Sequence, residues 1–194
     1  KTDVAEDIES EYTNLYQYLS SVIEKVPAGS NGVMFTPWLH GNRCPFEDPN
    51  ARGMFYNLSI ESGKSEMIRA VVEGVCMHMR WMLETQDKKT KTSDTIRFVG
   101  GGALNASTCQ ILADCTGRVV ETVASPQNVG AVGAAVLIAV NAGIISSVQD
   151  AKKLIPVSKT FTPDMEAKKV YDKYYEVYKN LYASNKKNFE NLNS

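Results

Sequence analysis

Phe98-Val99-Gly100-Gly101-Gly102-Ala103 carries the sharpest chemical signal in this chain. An apolar run ends, three residues lack side chains, and a helix-forming stretch follows. Glycine permits positive φ and lets a flat or anionic group come close to the backbone. The helix that follows offers unpaired N–H groups and the positive end of its dipole. Such a turn suits a nucleotide. It also suits a plain strand-to-helix connection, and the residues leave both readings open. It is not a P-loop, because Ala103-Leu104-Asn105 supplies no Lys followed by Ser or Thr. It is not a dinucleotide fingerprint, because the G-x-G-x-x-G spacing is missing.

Two other segments compete for attention. Gly130-Ala131-Val132-Gly133-Ala134-Ala135 is a small-residue helix. Its expected role is tight packing against a sheet, where small side chains let backbones approach. The segment Gly41 to Gly53 holds Arg43, Glu47, Asp48 and Arg52. These charges could form an internal ion-pair lattice, or face a phosphate or a partner domain; the lattice is the simpler expectation. No complete catalytic set is visible. His40 and His78 have no Ser or Cys beside them in a nucleophile motif, and no pair of carboxylates stands out. Any chemistry therefore needs residues from elsewhere. The four cysteines form no CxxC pair, and two histidines are too few to complete a zinc pattern. Cys76, Cys109 and Cys115 lie in apolar helical patterns and read as small buried hydrophobes.

Hydrophobic periodicity supplies the elements that hold these residues. Ile8, Tyr12, Leu15, Tyr16, Leu19 and Ile23 predict an amphipathic helix over Val4–Val26. Val33 to Thr36 reads as a short buried strand, and Met54 to Leu58 as a second. The irregular stretch between them, from Pro37 to Gly53, is long enough to suggest a function or a covering role. Ile68, Val71, Val72, Val75, Met79, Met82 and Leu83 predict the strongest helix, over Lys64–Thr85. Thr95 to Val99 reads as the strand leading into the glycines. A helix capped by Asn105 or Ser107 follows, to Thr116. Arg118 to Val123 reads as a strand and Val129 to Ala142 as a helix. The alternation argues α/β. Tyr171, Tyr174, Tyr175, Tyr178 and Tyr182 form a stripe at helical spacing, expected to dock a tail helix over about 164–191.

A net charge of -1 gives no field to draw the chain towards nucleic acid or an anionic membrane. No apolar run reaches the length of a membrane span. Nothing calls for an obligatory disulfide, so a reducing cytoplasm is the expected setting. The chain opens on Lys1 without an initiator Met, which is expected of a fragment.

Taken in order, four segments resemble the C-terminal domain of the FGGY carbohydrate kinases. Thr36-Pro37-Trp38-Leu39-His40-Gly41-Asn42-Arg43-Cys44-Pro45, with Asp48-Pro49-Asn50-Ala51-Arg52-Gly53, resembles the family's P-x-L-x-G-E-R-T-P … D-P-x-A-R-G run. Gly53-x-Phe55-x-x-Leu58 with Glu66-Met67, Ala70 and Glu73 resembles its second signature. Gly100-Gly101-Gly102-Ala103 with Gln110-Ile111, Ala113 and Asp114 resembles its adenosine-binding segment. Val129 to Ala135 resembles its A-x-G-A-A helix. The matches cover about Val33 to Gly143, and the first is most similar to xylulokinase-like members. Asn42 and Cys44 replace the usual Glu and Thr, Asn57 stands where a Gly is usual, and Asn105-Ala106-Ser107 replaces a Ser-Pro-aliphatic run.

The resemblance implies a ribonuclease H-like domain of the actin and hexokinase type, with added N- and C-terminal helices. It implies a single C-terminal domain over 1–194, with its core about 33–143. It implies ATP and Mg²⁺, with Gly100, Gly101, Gly102 and Ala103 lining the nucleotide and Asn105 hydrogen-bonding it. The sugar and the general-base Asp belong to an N-terminal domain absent from this chain. The implied partners are ATP or ADP and a sugar such as xylulose, and the chain alone is expected to be inert. A non-catalytic domain kept for protein–protein contact is the rival reading. The terminal helices could pack on their own domain or form a homodimer.

Overall fold

The fold is built around one long helix. The computed structural model describes residues 15–150 and 155–194. The helices are α1 (Leu15–Lys25), α2 (Lys64–Asp87), α3 (Ala106–Thr116), α4 (Val129–Asn141) and α5 (Met165–Asn193). The strands are β1 (Met34–Thr36), β2 (Met54–Tyr56), β3 (Thr95–Arg97), β4 (Val119–Val123) and β5 (Val157–Phe161). β1 and β2 form an antiparallel pair, while β3 lies parallel to β4 and β4 antiparallel to β5. The alternation of strand and helix from β3 to α4 is the α/β pattern expected. The predicted helix over Val4–Val26 is found from Leu15 onward, and Ile8 and Tyr12 lie outside the described residues.

α2 lies at the centre, against α1, α3, α5 and β1. Its start is fixed by Glu66, whose Oε2 accepts the Gly63 N–H at 3.0 Å. Its crossing with β1 depends on Gly74, where an added Cβ would sit 2.0 Å from the Phe35 carbonyl oxygen. Met77, Cys109, Leu112, Cys115 and Val120 are buried around it. Cys76 is buried too, as expected of all three helical cysteines, and all four cysteines are free thiols.

α5 closes the other side of α2. Asp164 caps it, accepting the Glu166 N–H at 2.9 Å. Tyr171, Tyr175 and Tyr178 of the expected stripe are fully buried, and Tyr174 and Tyr182 are half-buried. Three of the hydroxyls anchor the helix at polar points: Tyr171 donates to Glu73 and Tyr175 to Glu84, each at 2.8 Å, and Tyr182 to Asp48 at 3.0 Å. The core thus draws on Ile23 and on Tyr171 to Phe189 as well as on the segment 33–143.

The segment Pro37–Gly53 is an ordered loop, and among the described residues its arginines and acids form no ion-pair lattice. Asn42 and Asp48 exchange backbone hydrogen bonds at 2.9 Å. Asp48 is buried, and its carboxylate accepts the Asn50 N–H and the Tyr182 hydroxyl. Arg52 donates to the carbonyls of Pro49 and Ala51 rather than to an acid. Phe46 stacks on Tyr182 at 3.5 Å between ring centroids, and Trp38 packs edge-on to both. Aromatic packing fixes this loop where charge pairing was expected, so its acids and arginines cannot be read as one network.

His78 shows the same economy. Its Nε2 lies 2.9 Å from the Cys44 carbonyl and its Nδ1 accepts the Trp38 indole N–H at 3.4 Å. It is a packing histidine, and burial lowers its pKa from the ordinary 6.5. Below that value the unfolded chain takes up a proton that the folded chain resists, so stability falls as pH drops through it. Urea midpoints measured between about pH 7.5 and 5.5 are expected to fall more steeply for the native chain than for His78→Gln. Parallel slopes would count against this account.

Candidate functional site

β3 ends at Arg97, and Phe98 still donates to the Glu121 carbonyl of β4 at 2.9 Å. The chain then leaves the sheet through Gly100, at φ 91° and ψ -173°. Glycine alone adopts that geometry without strain. Gly101–Leu104 form one 3-10 turn, and Asn105 begins α3. The expected strand-glycine-helix arrangement is therefore present, with a short turn between glycine and helix.

The three glycines differ in what they face. A Cβ on Gly102 would sit 3.1 Å from the Phe98 ring, so a side chain there would press on that ring. A Cβ on Gly100 or Gly101 would meet nothing within 4 Å. Gly101 has no positive φ either. Neither backbone conformation nor internal packing requires a glycine there. The backbone is bare on its outer side, where a flat group can lie against it. Ala103 is buried beneath. The four residues assigned to the nucleotide are thus contiguous, with Gly100 and Gly101 facing open space and Ala103 supporting the turn.

Asn105 has a job of its own. Its Oδ1 accepts the Thr108 N–H at 3.0 Å, which caps α3, and its Nδ2 donates to Ser20 of α1 at 2.7 Å. Of the two cap candidates, Asn105 serves, while the Ser107 hydroxyl donates to Glu24. A cleft of about 350 Å³ lies beside these residues, between α1, α3 and β5. Its polar groups largely satisfy one another: Ser107 bonds Glu24, and Gln110 bonds Asp114 at 2.7 Å. Asp114 also accepts the Asp164 N–H at 2.8 Å, and burial raises its pKa.

The Gly turn is tied to the foot of α4, because the Gly100 N–H donates to the Pro126 carbonyl at 2.9 Å. Ser125, just before, holds a left-handed conformation at φ 49°, uncommon for a residue with a side chain. α4 itself corrects the expectation of tight packing on the sheet. Its main neighbours are the flanking 3-10 turns, and a Cβ on Gly130 or Gly133 would meet nothing within 4 Å. The Asn57 departure has a plain cause: its φ is 63°, and its side chain donates to the Gly32 carbonyl at 3.1 Å. Asparagine tolerates this conformation best after glycine.

Among the described residues no group of three His, Cys, Asp or Glu side chains could hold a metal ion, and no helix is long and apolar enough to cross a membrane. The parts of this site that sequence missed are Ser125 and the bond from Gly100 to Pro126. They connect residues far apart in sequence and leave no compositional trace.

Comparison with known proteins agrees with this geometry. The family described as "FGGY family of carbohydrate kinases, C-terminal domain" matches residues 4–142. Xylulose kinase of Bacillus subtilis is 29% identical over 172 residues, covering 88% of this chain and 34% of that protein. The solved structure of a xylulose kinase from Lactobacillus acidophilus superposes with a TM-score of 0.83 at 26% identity, covering 91% of this chain and 36% of that one. A gluconate kinase from the same organism gives 0.78 at 27% identity, with 87% and 34% covered. The α/β fold is that of sugar kinase structures, and the chain spans about a third of the length of the curated relatives it matches. By family, by fold and by the motifs around its open glycine turn, this chain belongs to the FGGY carbohydrate kinases and carries their C-terminal domain.

Proposed function

We propose that this chain is the nucleotide-binding part of an ATP-dependent sugar kinase with a ribonuclease H-like fold, working in the cytoplasm on a ketopentose such as xylulose. The observation that carries the reading is the bare outer face of Gly100 and Gly101, of which Gly101 is explained by neither strain nor packing. Gly100, Gly101, Gly102 and Ala103 would line the adenine and ribose, and Asn105 would contribute its remaining amide hydrogen. The relatives' names favour a kinase over a non-catalytic interaction domain. Their range, from xylulose to gluconate, is why the sugar stays a proposal.

The chain's own contribution is positional. Phosphoryl transfer depends chiefly on holding nucleotide and acceptor in line and stabilising charge. The turn would fix the nucleotide's base end, while a general-base Asp and the sugar site would come from residues outside this chain. Mg²⁺ would accompany the nucleotide phosphates. An NMR titration of this chain with Mg-ADP tests the reading. Saturable shifts centred on Gly100–Asn105 are expected. No shifts up to about millimolar ADP, a binding energy of roughly 4 kcal/mol, would overturn binding by this chain alone.

A further inference from the structure

The side-chain amide of Asn105 is held at both ends. A backbone N–H can only donate, so the Thr108 N–H at 3.0 Å fixes which end is oxygen. The nitrogen then faces Ser20, whose hydroxyl oxygen accepts one of its two hydrogens at 2.7 Å. The cap bond alone would let the amide tilt about its Cβ–Cγ bond, a torsion with broad wells. The Ser20 bond removes that latitude. Among the described residues nothing accepts the second hydrogen on Nδ2. Asn105 is half-buried and directly follows the Gly101–Leu104 turn, so that hydrogen is the donor its side chain has left for a ligand.

Ser20 lies 85 residues before Asn105, on α1. Two side-chain bonds attach α1 to the start of α3. One is Asn105 to Ser20; the other is Ser107 to Glu24, at 2.8 Å. Glu24 follows Ser20 by one helical turn, so the two bonds are successive rungs on one face of α1. Both rungs tie the same pair of helices, and only the first passes through Asn105. α1 is itself anchored, because Arg69 donates to the carbonyl of buried Ile23 at 2.8 Å. Ser20 therefore has a fixed support from which to orient another side chain. We infer that Ser20 is a positioning residue for nucleotide binding: it sets the plane of the Asn105 amide so that the remaining N–H meets an acceptor atom of the nucleoside. The inference rests on nucleotide binding at the Gly turn. It adds a residue that precedes Val33 and so stands outside every segment carrying the family resemblance.

Three readings on this chain and its variants test it: calorimetric titration with Mg-ADP, a melting curve, and the Asn105 side-chain amide signals in an NMR spectrum without nucleotide. Ser20→Ala is expected to weaken Mg-ADP about fivefold or more and to shift the Asn105 signals. Ser20→Thr keeps the hydroxyl and is expected to bring affinity back to within about twofold of native. Ser107→Ala breaks the other rung. It is expected to lower the thermal midpoint as much as Ser20→Ala does, by about 2–4 °C, and to leave affinity unchanged. Asn105→Asp still caps α3 but has no N–H to orient, so adding Ser20→Ala to it should cost no further affinity. If Ser20→Ala does not fold, Ser20→Cys, with a weaker acceptor of similar size, decides in its place. Equal affinity losses in Ser20→Ala and Ser107→Ala would make the bond a plain helix tie and overturn the inference. So would native affinity in folded Ser20→Ala, or an affinity loss with the Asn105 signals unmoved. A native chain that binds no Mg-ADP would overturn nucleotide binding itself and this role with it; binding that is blind to Ser20 overturns this role alone.

Discussion

Glu73→Ala will destabilise the fold by about 3–5 kcal/mol, the cost of breaking one side of a buried ion pair. Glu73 is 2% exposed on α2. One oxygen accepts the Gly29 N–H at 3.0 Å, the Arg69 Nε at 2.7 Å and the Tyr171 hydroxyl at 2.8 Å. The other accepts the Ser30 hydroxyl at 2.7 Å. Burial first, then the Glu73 charge, pushes the Tyr171 phenol far up, so Tyr171 stays a donor. Arg69 reaches further, donating to the Ile23 carbonyl at 2.8 Å and to Tyr171 at 3.0 Å. One carboxylate therefore joins the turn at Gly29–Ser30, α2 and α5, and reaches α1 through Arg69. Removing it leaves a guanidinium and several donors facing each other in a dry interior, where unpaired groups carry their full desolvation cost. Glu73→Gln keeps one acceptor and the shape, and is expected to lose less, about 1–3 kcal/mol. Urea denaturation of the three proteins measures both. A loss under about 1 kcal/mol for Glu73→Ala would mean that the network is dispensable.

That hub shows where sequence reading stops. Glu73 was visible only as one letter of a resemblance, because its partners lie 4, 43, 44 and 98 residues away. The helices were legible because periodicity is local: α2, α3 and α5 fall close to their predicted spans. The tyrosine stripe was legible for the same reason, though which hydroxyl meets which acid was not. β5 was missed because Val157–Phe161 is exposed on both faces up to Thr160, with no alternation to mark it, and only its pairing to β4 makes it a strand. α4 was placed correctly and packed wrongly. Small apolar residues announce a covered helix, but they do not say whether the cover lies within the same chain. The Gly turn was placed by its own glycines, but what each glycine faces is a property of three dimensions. Gly102 faces the Phe98 ring closely, whereas Gly101 faces nothing inside the fold.

This difference makes Gly101→Val the sharper probe of function. A valine there projects into open space, so the thermal midpoint should move by no more than about 2 °C. If the nucleotide lies on this face, the new side chain fills the volume the ligand needs. Mg-ADP affinity should then fall at least about tenfold, or 1.4 kcal/mol, with the fold intact. Gly102→Val is the contrasting case. Its side chain would press on the Phe98 ring, so any loss of binding comes mixed with a loss of stability. Gly100→Val is mixed in another way, because φ 91° strains any side chain. Only Gly101 separates the two effects. Calorimetric titration with Mg-ADP, run beside a melting curve for each variant, reads them independently. A folded Gly101→Val protein that binds ADP as tightly as the native chain would move the nucleotide off this turn. It would leave the small-residue foot of α4, joined to the turn through Pro126, as the next place to substitute.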